Sequence, residues 1–193
     1  MLIKRLDQQY EIREMSKEEF TPLFESHSKI IFDDEGEIFR FRMHLNEVEA
    51  AKARELQSRM GNPYYLRLGV FHHDQFVGWL FGFQESAETF YMCNSAILPE
   101  HRLKGLYTQL MKTTLDIVVS MGFQKVYSRH CLTNNAILIP KLKAGFVMTT
   151  FEASDMFGML VHLTYYPKDI RRKVLDYRVG RIKRDQEIDN LFK

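Results

Sequence analysis

The residue types best placed to do chemistry lie between Pro99 and Thr108, where the chain reads Pro-Glu-His-Arg-Leu-Lys-Gly-Leu-Tyr-Thr. An apolar run, Thr89 to Leu98, precedes this stretch, and apolar residues recur after it at Leu106, Leu110, Ile117 and Met121. Pro99 cannot donate to a sheet ladder, so the run reads as a strand that stops there. The recurrence reads as a long helix closed by Gly122. A loop passing from a strand end to a helix start aims several unbonded amide hydrogens, and the positive end of the helix, into one space. That space suits an anion, and phosphate above all. Arg102 and Lys104 are expected to add charge at its rim, and Gly105 lets backbone approach a ligand with no side chain between them.

Other reactive groups are weaker candidates. Tyr91, Cys93 and Ser95 alternate onto one face of the strand, as the two-residue strand period requires. No histidine stands near Cys93 in sequence to activate it, and a reduced buried cysteine packs more often than it reacts. Glu85 and Glu88 fall in the preceding turn, where plain solvation explains them. Neighbours on a strand point to opposite faces, so His72-His73 reads as a hairpin turn and no metal site is expected. His101, His130 and His162 stand singly. Neither Gly-x-x-x-x-Gly-Lys-Ser/Thr nor Gly-x-Ser-x-Gly occurs, which leaves P-loop nucleotide hydrolysis and α/β-hydrolase chemistry without support.

The elements that must position these groups follow from patterning. Strands are expected over Tyr65 to Phe71 and Phe76 to Gln84 around a His72-to-Gln75 turn, then Thr89 to Leu98, Lys125 to Cys131, Gly145-Phe146 to Glu152 and Met159 to Tyr166. A helix from Asn134 to Ala144, with Pro140 as a defect, separates two of them. Upstream, Leu2 to Arg13 reads as a first strand and Ser16-Lys17-Glu18-Glu19 as a capping box opening a helix that Pro22 delays or kinks. An acidic loop, Asp33 to Glu37, leads to a helix with an irregular apolar stripe, Leu45, Val48, Ala51, Leu56 and Met60. The expected fold class is mixed α/β, a single domain with a central mixed sheet of about six or seven strands flanked by helices.

The chain has 193 residues, enough for one domain, here residues 1–193 with a core over 65–166. Apolar residues at 45 % and charged residues at 27 % exclude disorder and fibrous repeats. A net charge of +2 gives no whole-molecule field for nucleic acid or membrane. No window approaches the roughly 18 apolar residues of a spanning helix. Two cysteines without Cys-x-x-Cys spacing favour a reduced, cytoplasmic setting. The segment Lys168 to Lys193 holds nine basic against five acidic side chains. It is expected as an amphipathic helix docked through Ile170, Val174, Leu175 and Val179, ahead of nucleic-acid binding.

Ile97-Leu98-Pro99-Glu100-His101-Arg102-Leu103-Lys104-Gly105-Leu106-Tyr107 resembles the pyrophosphate loop of the GNAT superfamily of acetyl-CoA-dependent N-acetyltransferases, Arg/Gln-x-x-Gly-x-Gly/Ala after a strand. Arg102 and Gly105 match, and Tyr107 replaces the last small residue. Thr133-Asn134-Asn135 to Lys143-Ala144-Gly145-Phe146 resembles the second family signature, an Asn opening a short helix that closes on Gly-Phe. The resemblance implies a GNAT-like fold and acetyl-CoA as co-substrate, with no metal. It implies a pantetheine arm paired along Ser95, Ala96, Ile97 and Leu98, a pyrophosphate on the amides of Leu103, Lys104, Gly105, Leu106, Tyr107 and Thr108, Arg102 at the rim, and Asn134 on the pantetheine. For Arg102 a surface ion pair with Glu100 is the competing reading, and for Asn134 a simple helix cap.

Catalytic side chains depart from the family pattern. The strand position of the Glu base in some members is Tyr91 here, so Tyr91 and the nearby Glu88 are the candidate catalytic residues. The Tyr that many members use to protonate the thiolate falls on Lys141, which is expected to neutralise phosphate instead. The implied activity is transfer of the acetyl group of acetyl-CoA to a primary amine, of a small molecule or a protein, by direct attack. Two alternatives stand: a CoA-binding protein of this fold without turnover, as regulator or sensor, and a basic tail that binds nucleic acid or an acidic partner. A homodimer would meet through the apolar strand Leu160 to Leu163 if that strand lies at a sheet edge.

Overall fold

The computed structural model describes residues 2–6, 9–32 and 41–192. The opening segment forms two strands where one is expected: β1 (Leu2–Arg5) turns back into β2 (Tyr10–Glu14), antiparallel to it. The capping box is complete, with the Glu19 amide donating to Ser16 Oγ and the Ser16 amide to Glu19 Oε2, and it opens α1 (Lys17–Ile31). This helix runs on through Pro22. Phe20 and Phe24, on either side of the proline, are anchored on Phe76, Trp79 and Phe81, so tertiary packing overrides the local defect. The expected acidic loop at 33–37 lies outside the described residues.

Asn46 caps α2 (Glu47–Ser58) with a second capping box. Its apolar stripe is not buried, since Val48, Leu56 and Met60 are all exposed. The stripe's irregular spacing drifts around the helix and presents no single face to pack. Next come β3 (Tyr65–His72) and β4 (Gln75–Gln84), joined by a turn of only His73 and Asp74. Both turn residues have positive φ, 44° and 69°, the two-residue hairpin geometry that matches strand twist.

From β5 (Thr89–Ile97) the chain passes through α3 (Leu106–Ser120) into β6 (Lys125–Cys131), parallel to β5. Then follow α4 (Asn135–Lys143), β7 (Val147–Ser154) and β8 (Gly158–Tyr165). The sheet has eight strands in the order β1-β2-β3-β4-β5-β6-β8-β7, one more than expected because the first segment splits. The hairpin folds β8 back between β6 and β7, so Leu160, Val161 and Leu163 are buried and β8 is not an edge. β8 therefore offers no free edge for pairing with a second copy.

One sheet face packs Leu68, Leu80, Phe90 and Val126 against Leu110 and Met111 of α3 and Leu138 of α4. The other packs Phe71, Phe76 and Trp79 against Phe20 of α1. The basic segment forms two helices, α5 (Asp169–Arg178) and α6 (Gln186–Leu191). Several of its cations have internal partners: Lys173 with Asp185 at 2.6 Å, Arg172 with Asp176 at 3.1 Å, and Arg184 with Asp189. No helix among the described residues is long and apolar enough to cross a membrane.

Candidate active site

β5 and β6 pair only at Thr89–Lys125, Phe90–Val126 and Tyr91–Tyr127, and beyond Tyr91 they part. The edge of β5 that faced β6 is left with unpaired backbone groups there. A bulge accompanies the parting. Phe81 of β4 faces Asn94 and the next residue, Gly82, faces Met92, so Cys93 is an extra residue in β5. Gly82 permits this geometry, because a Cβ at that position would lie 2.3 Å from the Tyr91 carbonyl oxygen.

The bulge also breaks the expected alternation. Tyr91 and Cys93 remain neighbours on one face. Asn94 accepts a 2.8 Å hydrogen bond from Trp79 Nε1 on the α1 side of the sheet, while Ser95 turns to Tyr107 of α3. Tyr91, Cys93 and Ser95 therefore do not line a common surface.

After β5 the Leu98 amide is tied to the Val77 carbonyl at 2.9 Å, and a 3-10 turn at Pro99–His101 follows. Leu103 has φ of 62° and is fully exposed, and Gly105 has φ of 75°. A non-glycine residue held left-handed costs about 1–2 kcal/mol, strain that collects where backbone must face a ligand. Arg102 N reaches Pro99 O and Gln109 N reaches Gly105 O, but the six amides from Leu103 to Thr108 meet no backbone acceptor among the described residues. Together with the start of α3 they make a cradle of unmatched main-chain donors, the kind of group an anion takes. Leu106 itself is buried in the core and Thr108 is exposed.

The two cations of the loop brace it. Arg102 Nε donates to the Ile97 carbonyl at 2.9 Å and forms no ion pair with Glu100. Lys104 Nζ donates to the Tyr10 hydroxyl at 2.9 Å, and that hydroxyl lies 2.9 Å from His101 Nδ1. Burial, then Lys104 and His72, lower the His101 pKa, against Glu100. Both cations are thus drawn onto the protein, where the sequence places them free at the rim. Asn134 sits at the start of α4 but makes no capping bond, so its exposed amide is uncommitted.

Of the two candidate catalytic residues, Tyr91 borders the fork and Glu88 does not. The Tyr91 ring is buried, stacked on Tyr127 at 4.9 Å, and its hydroxyl accepts from Arg129 Nε at 3.0 Å. Burial raises its pKa and that of Cys93, which keeps both protonated. Glu88 lies before β5, at the end away from the loop, with its carboxylate 3.5 Å from Arg171 of α5.

Lys141 occupies the interior below the fork. It is 1 % exposed, and Nζ lies 2.7 Å from Ser128 Oγ on β6 and 3.6 Å from Met92 Sδ on β5, over the Phe146 ring. It has no carboxylate partner, and burial lowers its pKa to about 7. Ser128 Oγ also meets His130 Nε2 at 2.9 Å, and burial, then Lys141, holds His130 down to about 3. A lysine enclosed in this way cannot neutralise a solvent-exposed phosphate, which corrects the expectation for it. Its spacing from Leu138 and Ala144 along the apolar side of α4 was the available signal.

The sequence model of the acetyltransferase (GNAT) family matches residues 10–146. The chain belongs to this family. No curated protein matches the chain in sequence. Among solved structures, the ribosomal-protein-S5-alanine acetyltransferase from Vibrio fischeri is similar with a TM-score of 0.63 and 9 % identity, over 88 % of this chain and 98 % of that one. The ribosomal-protein-S18-alanine N-acetyltransferase from Escherichia coli gives 0.58 and 14 %, over 81 % and 93 %. The PaiA N-acetyltransferase from Thermoplasma acidophilum, in complex with coenzyme A, gives 0.55 and 18 %, over 82 % and 100 %. At these identities the likeness is one of fold.

On the sheet face opposite Lys141 this GNAT protein carries a second polar group that sequence reading missed. Arg129 Nη1 lies 3.1 Å from Glu152 Oε1, and Glu152 Oε2 lies 2.6 Å from His162 Nε2. His162 stacks on Tyr127, whose hydroxyl bonds Glu85. His162 holds the Glu152 pKa down, with Arg129 assisting. These residues come from β6, β7 and β8 and lie far apart in sequence, so only strand pairing reveals them.

Proposed function

We propose that the protein transfers the acetyl group of acetyl-CoA to a primary amine by direct attack of nitrogen on the thioester carbonyl. The observation that carries this reading is the parting of β5 and β6 beside the amide cradle at the start of α3, in a chain of the acetyltransferase family. A solved relative in fold is in complex with coenzyme A.

The residues present fit that co-substrate. The amides of Leu103 to Thr108 suit a diphosphate, and the space beside Gly105 is open, since a Cβ there would meet nothing within 4 Å. The unpaired edge of β5 from Ser95 to Ile97 suits an arm that carries amides, by strand-like pairing. Asn134 offers a side-chain amide at the start of α4, where the chain leaves the strand that parts from β5. Acetyl-CoA supplies an activated acyl group as its thioester.

The protein's own residues supply protons and positions. An alkylammonium with pKa near 10 must lose a proton to become a nucleophile, and a thiolate with conjugate pKa about 8.5 leaves more readily when protonated. Lys141 Nζ holds a proton at the fork with a pKa of about 7, matched to that second task, and Ser128 fixes its direction. The Tyr91 hydroxyl is engaged by Arg129 and packs the floor of the fork.

Thermal unfolding with and without acetyl-CoA, with ATP as phosphate control, tests the reading. At about 100 times the dissociation constant, the stabilisation is near 2.7 kcal/mol, a rise of several degrees. Release of free thiol in the presence of an amine panel then identifies the acceptor. An equal rise with ATP, or none with acetyl-CoA, overturns the assignment.

A further inference from the structure

His162 has one ring nitrogen in use and one open. Its Nε2 lies 2.6 Å from Glu152 Oε2, and Arg129 Nη1 holds the other Glu152 oxygen at 3.1 Å. The Glu152 pKa is held down, by His162 first and then by Arg129, so the carboxylate is ionised and can only accept. The hydrogen of that bond therefore sits on Nε2. In the neutral ring Nδ1 then carries a lone pair, and it has no hydrogen-bond partner among the described residues. Stacking on Tyr127 at 5.5 Å fixes the plane of the ring. The ring also stands beside the fork. His162 pairs across the ladder with Arg129, which lies beyond Tyr127, the last β6 residue paired with β5, and Arg129 Nε reaches the Tyr91 hydroxyl. Solvent reaches the His162 side chain, which is 20 % exposed, whereas Lys141 on the other face is buried.

We infer that His162 is the base that takes the proton from the acceptor ammonium, with Glu152 and Arg129 as its positioning residues. The inference rests on the acetyl-transfer reading above and deepens it. The Lys141 side of the fork is closed by α4 and Phe146, so an amine comes from the face of His162 and sheds its proton there. The other titratable groups around the ring are committed. Burial raises Tyr91 and Tyr127, which stay protonated, and Arg129 is a permanent cation. Glu152 is bonded on both oxygens, and Glu85 accepts from Tyr127. Imidazole is the side chain that exchanges protons near neutral pH, and a carboxylate on its far nitrogen orients it and stabilises the imidazolium.

The protons balance. His162 stands across β6 from the fork, so Nδ1 takes the ammonium proton through one bridging water and passes it to solvent. The freed nitrogen pair forms the C–N bond, the C–S bond breaks, and the second N–H proton leaves through the same base. Lys141 protonates the departing thiolate and recovers a proton from water. One proton is released for each acetyl group moved.

The test is His162→Gln, with thiol release from acetyl-CoA followed for two acceptors, n-butylamine and methoxyamine, the second of which is already unprotonated at neutral pH. With n-butylamine at pH 7, kcat/KM is expected to fall about a hundredfold, the weight of a positioned base. With methoxyamine, which has no ammonium proton to lose, it is expected to stay within about three-fold. The n-butylamine rate of the variant should then climb about tenfold per pH unit toward the pKa of the amine itself, where the parent levels off earlier. Glu152→Gln keeps the imidazole and loosens its hold, and about a tenfold fall is expected with n-butylamine alone. Coenzyme A affinity, measured by titration calorimetry, is expected to match the parent in both variants. Equal falls with the two amines, no fall with n-butylamine, or a fall that follows lost coenzyme A affinity would overturn the inference alone. Parent protein that releases no thiol with any amine would instead remove the reading beneath it.

Discussion

The Lys141 ammonium nitrogen lies 2.7 Å from the Ser128 hydroxyl oxygen, so a cation from α4 and a hydroxyl from β6 meet inside the protein where β5 and β6 part. With a thioether and an aromatic ring as its other neighbours, nothing there carries the opposite charge. The desolvation of the charged form is therefore not repaid by an ion pair, which is why its pKa falls.

That fall sets a pH dependence of stability. The folded value is about 7 and the unfolded value 10.5. Between them the unfolded chain holds one more proton, so the unfolding free energy rises with pH by about 1.4 kcal/mol per unit. Lys141→Met is expected to flatten this rise and to stabilise the protein below pH 7. Urea titrations from pH 6 to 9 measure it, and an unchanged slope would show that the ammonium is not buried.

Gly105→Glu places a carboxylate at the amide cradle. The Cβ meets nothing within 4 Å, so the cost to the fold is the left-handed strain alone, about 1–2 kcal/mol. Coenzyme A binding is expected to be lost while the circular dichroism spectrum is kept. Binding within a few-fold of the parent would move the anion site elsewhere.

Gly82→Ala forces a Cβ to 2.3 Å from the Tyr91 carbonyl oxygen and against the Phe90 ring. Backbone cannot yield as a flexible side chain does, so β4 and β5 must separate at the bulge. A loss of about 1–3 kcal/mol in unfolding free energy is expected. A variant as stable as the parent would mean that the close approach across Gly82 is absent.

Tyr91→Phe separates packing from catalysis. Its hydroxyl accepts from Arg129, which is 34 % exposed and can turn to water, so about 1 kcal/mol of stability is expected to be lost. The acetyl-transfer rate is expected to stay within three-fold, roughly the limit for a residue that moves no proton. A hundredfold fall with coenzyme A binding intact would make Tyr91 a catalytic residue.

What could be read along the chain was whatever acts over a few residues. Both halves of the Ser16–Glu19 box form as expected, and the stop at Pro99 and the left-handed Gly105 are where the residue types require them. The order of strands and helices from residue 65 follows from apolar periodicity, and with the loop it carried the family. These features depend on caps, ring constraints and side-chain periods that belong to the segment itself.

Tertiary structure decided the rest. The bulge at Cys93 depends on what Gly82 allows across the sheet, and it turned Ser95 away from Tyr91. β8 became an inner strand because β6 offered it a ladder, and Arg102 and Lys104 turned from the rim to the Ile97 carbonyl and the Tyr10 hydroxyl. Lys141 was legible as a charged residue, and its burial between Met92 and Ser128 was not. A side chain's charge is a property of its residue, while its solvation is a property of the neighbours that folding brings around it.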